Sequence, residues 1–155
     1  MQELPNVLID EVEKEKEMIL SLNRDQLLAG RNSDGQLLSP GYLQDPYFKT
    51  KGQAEAYLRM KLALESMHKS RMMFANVLNF PVKPSVTPNL IVKGNFHDGM
   101  FMNVSGDKMV FGSTYEESND IEQKYDNKVF GLTDEAKRVF WVQKLRETVL
   151  SHFKK

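Results

Sequence analysis

His97 and Asp98 stand side by side in the stretch Asn95-Phe96-His97-Asp98-Gly99. An imidazole next to a carboxylate supplies the parts of a general base and its orienting partner. On a helix, though, neighbouring residues point about 100° apart, so these two side chains do not readily meet. Acyl-transfer chemistry also needs a nucleophile presented by a strained turn or a helix start. The chain has no Gly-x-Ser-x-Gly. The other histidines, His68 and His152, stand apart, and neither His-Glu-x-x-His nor His-x-His occurs. A metal centre would need ligands gathered from distant positions. Asp34 lies in a Gly30–Gly35 loop that lacks the spacing and the distal glutamate of a calcium loop. Phosphate-cradling Gly-x-Gly-x-x-Gly and Gly-x-x-x-x-Gly-Lys patterns are absent from the sequence. Glu116, Glu117 and Glu122 would have to converge with His97 and Asp98 to make an enzyme. The expectation is therefore no enzymatic activity, no catalytic residue, no metal site and no cofactor.

The elements that position these residues fit one domain over residues 1–155. The hydrophobic fraction is 41%, enough for a core, and 27% of residues are charged. Lys+Arg and Asp+Glu are equal at 21 each, so no net field draws the chain to nucleic acid or anionic lipid. With no cysteine, disulfides, thiolate zinc sites and a cysteine nucleophile are excluded. The first residues lack a signal peptide's basic start and apolar run. A soluble protein made in a cytoplasm is expected.

Leu8, Val12, Ile19 and Leu22 share a face and predict a helix over 5–22. Two Gln-Leu-Leu runs around Asp34-Gly35 predict a hairpin within 26–39. Residues 39–53 should be irregular, pinned by Tyr42, Tyr47 and Phe48. Ala54, Tyr57, Leu58 and Leu62 predict a helix over 53–67. An extended, proline-bearing linker follows, in which Met72 and Met73 read as core filling. Thr87-Pro88 reads as a helix start, with a short helix running to Asp98. Phe96 should pack inward, and His97 and Asp98 should face water or a neighbour. Residues 100–113 predict a second hairpin around Ser105-Gly106-Asp107. Thr114 and Glu117 fit a capping box for a helix reaching Asp126. Thr133 caps the last helix, whose apolar face carries Ala136, Val139, Phe140, Val142, Val149, Leu150 and Phe153. Hairpins with separate helices give an α+β fold: a small antiparallel sheet packed by N-terminal, central and long C-terminal helices.

The order and spacing of the second half carry a family resemblance. Lys93 to Met100 precedes the hairpin, and Phe111-Gly112-Ser113 closes it. Tyr115 to Tyr125 forms the next helix, and Val129-Phe130-Gly131-Leu132-Thr133 leads into the last one. Over residues 87–155 this resembles the neck or tail-completion proteins of long-tailed bacteriophages, also described as head–tail joining or virion morphogenesis proteins. The first half is similar to phage and prophage proteins of the Bacteroides type. Gly99 replaces the family's usual serine, the 115–125 helix lacks a glycine after its glutamate, and the connector lacks the usual proline.

The resemblance implies a structural virion protein that forms a ring at the head–tail junction. Its partners would be copies of itself and the neighbouring portal, connector and tail proteins. DNA would pass through the ring without sequence-specific contact, and no membrane would be involved. Arg31, Asp34, Asp107 and Lys108 at the hairpin tips, with Phe96 and His97, are then the candidate interface residues. The alternative is a phage-encoded binding protein, either an assembly chaperone or an inhibitor of a host protein.

Overall fold

A computed structural model describes residues 2–67 and 78–154. The chain opens with α1 (Leu4–Lys14) and α2 (Lys16–Leu28). The backbone ladder runs through Glu15, which bonds back to Glu11 (3.0 Å) and accepts from Ile19 (3.2 Å). The helical pattern thus extends to Leu28, six residues beyond the expected end at Leu22. Ile19, Leu22, Asn23, Gln26 and Leu27 recur at helical spacing and are all buried.

That extension removes the first expected hairpin. The 26–28 Gln-Leu-Leu run is helix, and residues 31–37 form a tight loop with one isolated bridge, Arg31 to Leu37. Asn32 organises this loop: its side-chain oxygen accepts from the amides of Asp34 and Gln36, both at 3.0 Å. A 3₁₀ turn at Tyr42–Gln44 precedes α3 (Lys51–Met67), close to the expected helix. Tyr42 is buried and Phe48 half-buried, but Tyr47 is 81% exposed and pins nothing to the body. Met72 and Met73 lie outside the described residues.

The expected helix over 88–98 shrinks to α4 (Asn95–Asp98). Thr87 closes a turn onto Pro84 (3.0 Å) and does not start a helix. The Asn89 side chain then accepts from the Ile91 amide (3.1 Å), which diverts the backbone from helical pairing. Leu90 (φ +60) and Gly94 (φ +91) adopt left-handed conformations. Gly94 therefore begins the helix instead of weakening its middle.

The second hairpin forms as expected. β1 (Met100–Ser105) pairs antiparallel with β2 (Lys108–Ser113), with Met102 opposite Phe111 and Val104 opposite Met109. Met100 and Met102 face the core. On the outer face the Phe101 ring lies over Gly112; a Cβ there would come within 2.6 Å of the ring. Thr114 makes no capping box with Glu117. Its amide bonds Gly99 (3.0 Å), and α5 (Ser118–Lys124) starts without a side-chain cap.

Thr133 does cap its helix, accepting from Ala136 (3.1 Å). This terminal helix has three parts: α6 (Asp134–Phe140), a π-helical turn (Trp141–Leu145) and α7 (Arg146–Phe153). The core joins Ile19, Leu22 and Leu27 to Phe96, Met100, Met102, Tyr125, Val129, Leu132, Ala136 and Phe140. The architecture is a small α+β fold: helices around one two-stranded antiparallel sheet. Among the described residues no helix is long and apolar enough to cross a membrane.

The 129–133 connector is held by α2. Asn23 and Gln26 sit one helical turn apart and project from the same side. The Asn23 side chain donates to Val129 O (3.0 Å) and accepts from Gly131 N (3.0 Å). The Gln26 side chain donates to Gly131 O (2.9 Å) and accepts from Thr133 N (2.8 Å). Two carboxamides thus satisfy four backbone groups of a buried irregular segment.

Candidate functional site

A cleft of about 460 Å³ opens where α3, the 88–96 segment and α5 meet. Its walls carry Tyr42, Tyr57, Phe96 and Tyr125; Lys93, Tyr115, Glu117 and Lys124 also line it. Tyr42 meets Tyr57 edge-on at 5.6 Å between ring centres, and Tyr57 meets Phe48 at 5.0 Å. These aromatic contacts tie the 42–48 loop to α3.

Lys61 also lines the cleft, although its side chain is almost fully buried, with 1% of the residue exposed. Its ammonium donates to Asn89 Oδ1 at 3.3 Å and sits 5.7 Å from the centre of the Tyr42 ring. Burial pushes the amine down to about 8, against a partial upward pull from Glu65. The amine therefore still carries its charge at neutral pH. Glu65 is itself engaged by Lys83, at 3.0 Å. Asp45 is paired with Lys124, and Glu117 accepts from the Tyr115 hydroxyl at 3.2 Å.

Asn89 links this site to the interior. Its Oδ1 serves both Lys61 and the Ile91 amide, and its carbonyl meets His97 Nε2 at 2.8 Å. The carbonyl can only accept, so Nε2 carries a proton. Burial holds His97 down to about 4. Burial also raises the Tyr42, Tyr57 and Tyr125 phenols, so these hydroxyls stay protonated donors. The Tyr42 hydroxyl and Asn89 Nδ2 are buried without a well-formed hydrogen bond among the described residues. Leu90, on the rim, holds a left-handed conformation that is strained for a bulky side chain.

Of the candidate site residues singled out from sequence, Phe96 and Glu117 line the cleft and the others fall elsewhere. His97 is buried, contrary to the expectation that it faces water or a neighbour, while Asp98 stays exposed. Phe96 is 2% exposed and stacks on Phe130 at 5.6 Å, so it belongs to the core and meets the surroundings only where it lines the cleft. Arg31 is half-buried, donates to Gly35 O (2.8 Å) and covers the Phe80 ring. Asp34 pairs with Lys128 at 2.8 Å on the surface. Only Asp107 and Lys108 occupy an exposed hairpin tip. Of Glu116, Glu117 and Glu122, only Glu117 reaches the cleft, and Glu122 accepts from Ser118. Glu65-Ser66-Met67-His68 has Glu-x-x-His spacing, but His68 lies outside the described residues. Among the described residues no group of three or more His, Asp or Glu could hold a metal ion.

Sequence reasoning missed Lys61. It followed only the apolar positions Ala54, Tyr57, Leu58 and Leu62 of the 53–67 helix. The available signal was its place one turn beyond Tyr57, on the buried side. No protein-family model, curated protein or solved structure matches the chain.

Proposed function

We propose that the chain is a structural subunit that assembles side by side with its own copies, as a ring at the head–tail junction of a tailed phage. The resemblance of residues 87–155 to neck proteins motivates this reading. The observation that carries it is a pair of distinct apolar surfaces on one protomer. One is the hairpin, where Phe101 and Val110 are 39% and 48% exposed. The other is the terminal helix, where Trp141, Val142, Leu150 and Phe153 remain exposed. Both elements pack on α1, and they make no extensive contact with each other. A ring needs a head-to-tail interface, and that requires two different, complementary patches on each subunit. The balanced charge suits docking that depends on shape and apolar contact, with little general stickiness.

Light scattering across a concentration series tests this. The expected result is a shift to one defined oligomer. Val110→Asp on the hairpin and Phe153→Asp on the terminal helix should each leave the protein monomeric. Mixing the two variants should restore a single interface and give a dimer, because each still has one intact patch. A wild type that stays monomeric at every concentration overturns self-assembly and favours a monomeric partner-binding protein.

A further inference from the structure

We infer that the cleft beside α3 binds a small organic monoanion: a carboxylate carried on a flat apolar body. The carboxylate would sit on the Lys61 ammonium and the Tyr42 hydroxyl, and the body against Tyr57, Phe96 and Tyr125. This site does not depend on the assembly reading.

The first argument is charge. A buried cation ordinarily has its own counter-ion or a full set of acceptors. An ammonium has three N–H donors. Among the described residues Lys61 makes one hydrogen bond, to Asn89. Glu65 stands between two cations, pairing with Lys83 at 3.0 Å while also attracting Lys61, so Lys61 and Lys83 share one carboxylate; Asp45 pairs with Lys124, and Glu117 accepts from Tyr115. The Lys61, Lys83 and Glu65 group thus carries one positive charge more than it has carboxylates, with Lys61 in the cleft wall, and Lys93 on the rim adds another.

The second argument is the neighbouring donor. The Tyr42 hydroxyl is buried in the same cleft wall without a well-formed acceptor among the described residues. An ammonium and a phenol in one cleft wall supply the two donors a carboxylate takes. The third is shape and polarity. A volume of about 460 Å³ falls in the range of small-ligand sites, roughly 300–1,000 Å³. The aromatic walls favour a planar apolar group, to which an inorganic anion offers nothing.

The test is an amide-resolved NMR titration of the full chain with benzoate. Benzamide (the same shape without the charge) and inorganic phosphate (charge without the body) are the comparators. Benzoate should give saturable shifts at Leu90–Phe96 and near Tyr57. Benzamide should bind about tenfold or more weaker, and phosphate should not compete. Lys61→Met keeps the buried stem and removes the charge, and it should weaken benzoate by a similar factor. Val92→Trp, at an exposed rim position, should block the cleft while leaving the rest of the spectrum in place. It carries the test if Lys61→Met does not fold. Absence of saturable benzoate shifts, undiminished binding in Lys61→Met or Val92→Trp, or equal binding of benzamide or phosphate would each overturn the inference.

Discussion

The clamp around Asn23 and Gln26 and the cluster around Lys61, Tyr42 and Asn89 are both buried and polar. In the clamp, each carboxamide gives and takes a hydrogen bond, and the groups it serves belong to the same segment. In the Lys61 cluster, Asn89 Oδ1 is shared by two donors, while its amide nitrogen and the Tyr42 hydroxyl are left over. A closed network in a dry interior specifies one arrangement and repels water. An open one beside a cavity keeps donors free for something that arrives from outside. An asparagine therefore closes a network in one place and leaves one open in the other.

Gln26→Ala should break the closed side most severely. It strands Gly131 O and Thr133 N in the interior and leaves a cavity. A loss of about 2–4 kcal/mol is expected, read from urea unfolding at neutral pH; a loss under about 1 kcal/mol would mean that the clamp is incidental. On the open side, Lys61 is a cost to the fold. Its folded pKa, about 8, lies below the ordinary 10.5. Between those values the unfolded chain binds the extra proton, so stability rises with pH and the full penalty remains below pH 8. The gain across the window should be about 3 kcal/mol. The raised tyrosine pKa values oppose it at the alkaline end, so the quantity to measure is wild type minus Lys61→Met. No pH-dependent difference would mean that Lys61 is solvated in the folded state. Thr133→Ala has the smallest effect, about 1 kcal/mol, through the lost cap. A markedly larger loss in this variant would show that clamp and cap act as one unit.

The hairpin at 100–113 and the Thr133 cap were legible because local rules decide them: alternation, a glycine turn and a hydroxyl before an acidic first turn. The 26–39 hairpin was misread because its turn is real while its first arm belongs to α2. The buried partners of Gln26 lie more than a hundred residues away, and no local pattern announces them. Thr87-Pro88 carried a helix-start signal that Asn89 overrode through its own side chain. The cleft was the least legible feature. It is assembled from α3, an irregular segment and α5, and its central charge looks like any surface lysine until the packing is known. His97 drew notice for its chemistry and proved to be a neutral interior donor.

The wide turn at Trp141–Leu145 has a consequence of phase. A π-helical turn carries one residue more than an α-helical one, and one residue is worth about 100° of rotation. The terminal helix is thus two shafts joined out of step. The stripe that starts with Ala136 and Phe140 would reach Leu150 at constant pitch. After the wide turn, Thr148 and His152 come round toward the body, and Leu150 and Phe153 swing out to water. A single extra residue in that turn, acting as a gear tooth, decides which side of α7 the protein shows to its surroundings.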